Sequence, residues 1–151
     1  MSIRKRVVQP QGFGSVATEA FVGLVVAADH VTQLFEAVCK RHGITVDQYN
    51  VLRILRGVYP GGHPRSEVTR RLMRRAPDVS RLLDRLQRRH LVERSRSMED
   101  RRLSVARITK SGLALLERID PEKEIAEKNA MAPLGESQLR QLARLLDRLI
   151  P

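Results

Sequence analysis

Aromatic residues are scarce in this chain, which has three Phe, two Tyr and no Trp among its 151 residues. Proteins that bind RNA or single-stranded DNA commonly stack the bases on aromatic side chains. The composition therefore argues against that mode of binding, and it predicts a core built mainly of leucine and valine. A chain of this length can form one domain with a substantial buried core.

Cysteine and long apolar runs are also scarce. The single cysteine, Cys39, excludes an internal disulfide and is typical of a reducing compartment, so we expect a cytoplasmic protein. The longest apolar run, residues 21–28, has 8 residues, whereas a membrane-spanning helix needs about 20. We therefore expect no membrane partner.

Motifs for catalysis are missing too. The sequence has no glycine-rich phosphate loop, Ser/His/Asp set or paired-carboxylate site, so we expect neither an enzyme nor a cofactor. The spacing of His30, Cys39 and His42 matches no closed metal motif, and we expect no metal site. Cys39 has two interpretations. We favour a buried structural residue, and the alternative is an oxidant sensor whose thiolate the neighbouring basic residues would stabilise.

Positive charge, in contrast, is abundant and unevenly distributed. The net charge is +11. Residues 61–110 hold 15 Lys and Arg against 6 Asp and Glu, a net charge of +9, and the remaining 101 residues have a net charge of only +2. A basic centre on a nearly neutral frame indicates a surface for a polyanion.

The centre of this basic region predicts an amphipathic helix that begins near Pro77, since proline suits the first helical turn. Apolar residues recur at positions i, i+3, i+4 and i+7, which gives one stripe for a core: Val79, Leu82, Leu83 and Leu86. The other side is polar and basic: Ser80, Arg81, Asp84, Arg85 and Arg88. Arginine on such a face can pair with guanine or with phosphate, although an ordinary solvated face has the same pattern.

A hairpin and a short helix flank the predicted basic helix. Residues 91–108 partly alternate between apolar and polar, which predicts a two-stranded ribbon with a turn of four to six residues. Its tip carries Arg96, Arg101 and Arg102, which could enter a minor groove or hold its phosphates. Residues 65–75 predict a short helix with exposed arginines. Two short helices joined by a tight turn, next to a basic hairpin, indicate a winged helix-turn-helix.

Longer helices are predicted on both sides of this unit. A capping box of Thr45 and Gln48 begins one helix, and Thr109 caps another. That second helix meets Pro121, which marks either a kink or the start of a new helix. The N-terminal helix and a leucine-rich final helix after Gly135 are too apolar for the small central unit to cover. We therefore expect them to form a homodimer interface.

The expected fold class is mainly α, with a small β component. Residues 1–14 are predicted to be a basic flexible N-terminus, and residues 15–151 a single domain. Within this domain, residues 44–109 form the winged helix-turn-helix, and residues 15–43 and 110–151 supply the dimerisation helices.

The order of these parts resembles the multiple antibiotic resistance regulator (MarR) family of winged-helix proteins, over about residues 44–150. The most specific segments are Leu91-Val92-Glu93-Arg94, Asp100-Arg101-Arg102, and Ala106-Arg107-Ile108-Thr109 with Gly112, which are similar to the family's wing. Residues 79–86 are similar to its recognition helix. The chain departs from the family pattern at His90, where glycine is usual, and at Pro121.

The resemblance implies a homodimeric regulator of transcription that binds double-stranded DNA sequence-specifically at a pseudo-palindromic operator. Such a protein would act as a repressor that a signal releases, with a small aromatic or phenolic molecule as the effector. Ser80, Arg81 and Arg85 would face the major groove, and Arg102, steadied by Asp100, would reach the minor groove. The full set of expected DNA contacts is Arg74, Arg75, Pro77, Ser80, Arg81, Arg85, Arg96, Asp100, Arg101 and Arg102. A non-specific architectural protein remains the alternative.

Overall fold

The computed structural model describes residues 12–73, 78–96 and 104–150. The helices are α1 (Val16–Arg41), α2 (Val46–Arg56), α3 (Arg65–Arg71), α4 (Val79–Arg88), α5 (Lys110–Met131) and α6 (Glu136–Asp147). The strands are β1 (His63–Pro64), β2 (Val92–Arg96) and β3 (Ser104–Ile108). The mainly α fold with a small sheet is confirmed. The chain forms two compact units, one of residues 36–129 and one of residues 1–35 with 130–151.

The core of the 36–129 unit is aliphatic, as the shortage of aromatic residues predicted. The apolar side chains that are at most 2% exposed come from all of its helices and from β2 and β3: Val38, Cys39, Val51, Leu52, Leu55, Val68, Leu83, Leu86, Val92, Ala106, Leu116 and Ile119. This core fixes the orientation of the two helices and the hairpin that the sequence assigned to DNA binding.

The sheet has three antiparallel strands in the order β1-β3-β2. β2 and β3 pair from Val92 opposite Ile108 to Arg96 opposite Ser104, as the predicted ribbon requires. A third strand that was not predicted joins this ribbon, because His63 of β1 pairs with Ala106. A Cβ atom at Gly62 would lie 2.3 Å from the Ala106 oxygen, so this close approach requires glycine. β1 was missed because its pairing partner lies about 40 residues away.

The helix boundaries follow local capping. The predicted capping box of α2 is confirmed: Gln48 N donates to Thr45 Oγ1 at 3.2 Å, and Thr45 N donates to Gln48 Oε1 at 3.0 Å. Thr109 caps α5, accepting from Gly112 N at 3.1 Å. The prediction of a helix over residues 65–75 was wrong at its end, because α3 stops at Arg71 and Leu72 is extended. Val68 is the only buried residue of α3, so no second buried apolar side chain stabilises a further helical turn.

α4 begins two residues later than predicted. Asp78 is the N-cap residue, so it precedes the first helical turn. Its side chain accepts a hydrogen bond from Arg81 N at 3.0 Å. Its backbone is non-helical, with φ −151° and ψ 88°, as N-cap residues commonly are. Pro77 lies outside the described residues.

α5 continues through Pro121 from Lys110 to Met131, so the alternative in which a new helix begins there was wrong. Asp120 does not cap a helix. Its carboxylate accepts from Tyr49 Oη at 3.0 Å and from Arg56 at 2.5 Å. The Asp120 carboxylate, just before Pro121, therefore joins α5 to α2.

The unit of residues 1–35 and 130–151 exposes much apolar surface. α6 has no buried residue, and Leu149 after it is 67% exposed. Among the described helices, α1 alone is long and apolar enough, by length and composition, to cross a membrane. The uninterrupted apolar run of residues 21–28 did not predict this, because apolar residues recur along much of the helix beyond that run.

Candidate nucleic-acid interface

α4 separates an apolar face from a basic one, as its periodicity predicted. Val79, Leu83 and Leu86 are at most 5% exposed and pack into the core, whereas Leu82, the fourth residue of the predicted stripe, is partly exposed. Arg81, Arg85 and Arg88 are exposed, while Ser80 and Asp84 are partly exposed. Because the apolar stripe is anchored, the arginine side chains are held on the outer surface of the 36–129 unit.

The arginine side chains of this face make few interactions with other described residues of the protein. The side chain of Arg81 is 79% exposed, and its Nε lies 3.0 Å from Asp78 Oδ2. Exposed pairs of this kind contribute less than about 1 kcal/mol, so Arg81 can exchange Asp78 for a phosphate or a base at little cost. The side chains of Arg85 and Arg88 make no hydrogen bond or ion pair with any other residue that the structure describes.

The wing strand β2 is tied to α4. Arg94 forms an ion pair with Asp84, and its Nε donates to Gln87 Oε1 at 2.7 Å. Arg107 of β3 donates to Ser95 at 2.5 Å across the hairpin. These contacts were not predicted, since they join residues of different elements.

The predicted contact residues of the hairpin are only partly described. Arg96 is exposed at the end of β2, opposite Ser104. The other predicted contacts of the hairpin and of the turn before α4 lie outside the described residues: Arg74, Arg75, Pro77, Asp100, Arg101 and Arg102. The described part of the site therefore consists of α4 and the paired arms of the hairpin.

α3 carries less free positive charge than its sequence indicated. Glu67 accepts from Arg70 at 2.8 Å and from Arg71 at 3.3 Å. These contacts hold the pKa of the Glu67 carboxyl below its ordinary value, and the hydrogen bond from Arg70 is the largest cause. The sequence could have predicted these pairs, because Glu67 stands three residues before Arg70 and four before Arg71, and such neighbours meet on a helix surface.

His90, between α4 and β2, adopts a left-handed backbone conformation with φ +57°. His90 N donates to Gln87 O at 2.9 Å and Leu91 N donates to Leu86 O at 3.0 Å, which is the hydrogen-bond pattern of a Schellman cap. The carbonyl oxygen of His90 also accepts from Thr109 Oγ1 at 2.7 Å. Glycine adopts this conformation most readily because it has no Cβ atom. This is the physical reason for the glycine that the family pattern has where this chain has His90.

Polar contacts join α5 of the 36–129 unit to the end of α1 and to α2. Glu122 of α5 accepts from Arg41 at 2.6 Å and lies 2.8 Å from His42 Nε2. The pKa of the Glu122 carboxyl is lowered, chiefly by the hydrogen bond from Arg41. Burial is the main reason that the pKa of Tyr49 is raised, and the hydrogen bond to Asp120 adds to it. No local pattern predicts these contacts, because the residues that they join are about 70 to 80 positions apart.

Cys39 is fully buried, with 0% exposure. Burial, and secondarily the negative charge of Glu36, raise the pKa of its thiol to about 11. Both effects oppose the thiolate that an oxidant sensor needs, so they favour the structural interpretation. Among the described residues, no group of three His, Cys, Asp or Glu side chains is placed to hold a metal ion.

Comparison with known proteins identifies the family. The sequence profile of the MarR family matches residues 42–103. The MarR transcription factor from Planctomyces limnophilus is 33% identical, with a TM-score of 0.71, and the match covers 88% of this chain and 96% of that one. The homoprotocatechuate degradative operon repressor of Escherichia coli is 29% identical over 129 residues, which cover 85% of this chain and 86% of the repressor.

A third relative was crystallised with its natural ligand. It is the PcaV transcriptional regulator of Streptomyces coelicolor, which is 25% identical with a TM-score of 0.68, over 81% of this chain and 87% of that one. The match to the Planctomyces limnophilus protein extends over nearly the whole length of both chains, and the fold of both is the winged helix-turn-helix. This chain belongs to the MarR family of transcription regulators.

Proposed function

We propose that this protein is a homodimeric repressor that binds a pseudo-palindromic operator in double-stranded DNA sequence-specifically and is released by a small-molecule effector. The observation that carries the proposal is the arginine face of α4, whose opposite side is anchored in the core by Val79, Leu83 and Leu86. A helix anchored in this way can present its outer face to the major groove without changing its own packing.

Arg81 and Arg85, with Ser80, are the proposed readers of the major groove. A guanidinium group can donate two parallel hydrogen bonds to guanine O6 and N7, and a hydroxyl group can contact several bases. The exposure of both arginines and the weak Asp78 pair of Arg81 support this role. The residues proposed to hold phosphates or to enter the minor groove flank α4 or lie on the wing: Arg74, Arg75, Pro77, Arg96, Arg101 and Arg102, with Asp100 steadying Arg102.

The exposed apolar surface of the 1–35 and 130–151 unit supports the dimer. Phe21 of α1 is 68% exposed and Ile150 is 70% exposed, although contiguous apolar surface is normally covered. A bilayer is the less favoured occupant, because Asp29 is exposed on α1 and accepts from Gln33 at 2.8 Å. Two-fold symmetry would place the recognition helices about 34–36 Å apart, with half-sites about one helical turn apart.

The effector is proposed from the relatives. One similar protein is named as a repressor of a homoprotocatechuate degradative operon, and another was crystallised with its natural ligand. Homoprotocatechuate is a phenolic acid, so we propose an aromatic or phenolic effector here. Because a regulator of this kind acts where the chromosome lies, we also propose a cytoplasmic location.

The experiment that tests this function combines recovery of bound genomic fragments with measurement of mass. We expect the recovered fragments to share an inverted repeat, and light scattering without detergent to give twice the chain mass of 17.2 kDa. Recovery of random fragments would instead indicate the architectural alternative. A monomer in solution would contradict the proposed two-fold arrangement.

A further inference from the structure

Arg89, the C-cap residue of α4, binds the turn between α1 and α2. Its Nη1 donates to the carbonyl oxygen of Gly43 at 2.5 Å, although the two residues are 46 positions apart in the sequence. Its Nη2 lies 3.6 Å from the position that a Cβ atom would take at Gly43. Both terminal nitrogens of the guanidinium are therefore close to this turn, at the end of the helix that carries the arginine face.

The turn that accepts this hydrogen bond is itself well fixed. Gly43 has φ +69°, its N–H donates to Lys40 O at 3.0 Å, and Ile44 N donates to Cys39 O at 3.1 Å. These two bonds form the Schellman motif that commonly ends a helix. Cys39 is fully buried and Ile44 is only 4% exposed, so the core holds the turn from both sides of Gly43.

α5 holds the same turn through side chains. Arg41 Nη2 donates to Glu122 Oε2 at 2.6 Å, and His42 Nε2 lies 2.8 Å from Glu122 Oε1. The turn thus has contacts with α5 and with the end of α4, in addition to its own hydrogen bonds. Its carbonyl groups are acceptors of defined position, to which the end of α4 can be aligned.

The tilt of α4 needs such a directional contact. The apolar stripe determines which face of α4 is buried, but the hydrophobic effect has no direction, whereas a hydrogen bond does. Arg81 is eight residues before Arg89, about 12 Å along the helix axis. A tilt of about 5° at the Arg89 end would move Arg81 by about 1 Å, which exceeds the range of about 2.7–3.2 Å in which hydrogen bonds form.

We infer that Arg89 is a positioning residue for DNA recognition, which fixes the tilt of α4 through Gly43 O and so places Arg81 and Arg85 against the bases. Arg89 itself contacts no base in this arrangement, because its guanidinium is bound to the turn. The inference rests on the proposed function, since it requires an operator that α4 reads.

The test compares Arg89→Met with the wild type in affinity for the recovered operator and for a scrambled duplex of equal length. Methionine has an unbranched side chain but cannot donate to Gly43 O. We expect operator affinity to fall about fivefold, the factor for an exposed charged contact at the upper end of its range. Affinity for the scrambled duplex should change little. The salt dependence of operator binding should also stay the same, because Arg89 displaces no counterion from a phosphate.

A second measurement needs no DNA. At the end of α4, His90 N donates to Gln87 O and Leu91 N donates to Leu86 O. In Arg89→Met, these two amides should exchange their hydrogens faster with solvent, as measured by NMR. The amide of Leu82, which donates to Asp78 O at the other end of α4, should exchange at the wild-type rate.

Lys40→Met is the matched control, because it removes the same charge from an exposed position near the turn and leaves the bond from Arg89 to Gly43 O in place. Its ratio of operator to scrambled affinity should equal that of the wild type. Equal losses of Arg89→Met on both duplexes, with a salt slope lower by about one, would show a phosphate contact and overturn the inference.

A loss of stability in urea without any change in the affinity ratio would show a purely structural role for Arg89, and would also overturn the inference. A wild-type protein that binds both duplexes equally would refute the proposed function together with this inference. A wild type that discriminates between them, and an Arg89→Met protein that discriminates equally well, would refute the inference alone.

Discussion

Arg94 of β2 forms an ion pair with Asp84 of α4, and thereby joins the wing to the recognition helix. The side chains are 30% and 44% exposed, so solvent screens the pair and its contribution to stability is small. Its importance is geometric, because both elements carry arginines proposed to touch the same duplex. The contact connects β2 to α4, the two elements that carry the proposed DNA contacts.

The first prediction concerns this contact. In a double-mutant cycle with Asp84→Asn and Arg94→Gln, we expect a coupling free energy in unfolding of about 0.2–1 kcal/mol. The two residues should also be coupled in operator affinity, because loss of either partner removes one of the contacts that connect the hairpin to α4. Urea denaturation and fluorescence anisotropy measure the two quantities. The Glu136–Arg140 pair of α6 is the control, with no expected effect on the operator. Additive operator affinities in the Asp84–Arg94 cycle would contradict the geometric role.

The second prediction concerns the left-handed conformation of His90. Glycine adopts this conformation without a Cβ penalty, so His90→Gly should raise the free energy of unfolding by about 0.5–1 kcal/mol. Arg88→Gly, at the last residue of α4, is the control and should lower it by a similar amount. A destabilised His90→Gly protein would show that the histidine side chain contributes more than its backbone strain costs.

The third prediction concerns Gly112 at the start of α5. A Cβ atom there would lie 2.4 Å from Leu91 O and 2.7 Å from Ile108 Cγ1. Because one of these atoms is backbone, Gly112→Ala should cost about 1–3 kcal/mol in thermal or urea unfolding. Gly135→Ala is the control, since its Cβ would meet nothing closer than Gln138 Oε1 at 3.6 Å. A neutral Gly112→Ala variant would mean that the junction of β2, β3 and α5 yields easily.

The fourth prediction concerns Cys39. Its thiol pKa is 9.0 ordinarily and about 11 in the folded protein. The folded state therefore keeps a proton that the unfolded state loses, so stability is retained below about pH 9 and falls as pH rises towards 11. The decline should be shallower in Cys39→Ala, as measured by urea unfolding across this range. Thiol reagents should react slowly with the native protein at pH 7, and rapid modification would favour the oxidant-sensor alternative.

Local sequence signals were sufficient for several parts of the fold. The Thr45–Gln48 capping box, the Thr109 cap and the leucine stripe of α4 depend on residues within one or two turns, and each is confirmed. The mainly α class and the MarR family followed from the order of these parts, with the wing segments as the most specific resemblance.

The features that the sequence did not predict depend on distant partners. β1 exists because His63 pairs with Ala106, and Asp120 bonds Tyr49 and Arg56 instead of capping a helix. No local pattern reveals any of these, since each depends on tertiary packing. The proposed roles of Arg81, Arg85 and Arg96 stay predictions, which DNA-binding measurements can test.

The most direct test of the account is the affinity of Arg81→Ala for the recovered operator and for a scrambled duplex of equal length, at matched salt. If Arg81 reads a base, the operator should lose about 1–3 kcal/mol and the scrambled duplex much less. Arg118→Ala, which removes an exposed arginine of α5, should change neither affinity. Equal losses on both duplexes for Arg81→Ala would contradict base reading by the α4 arginine face.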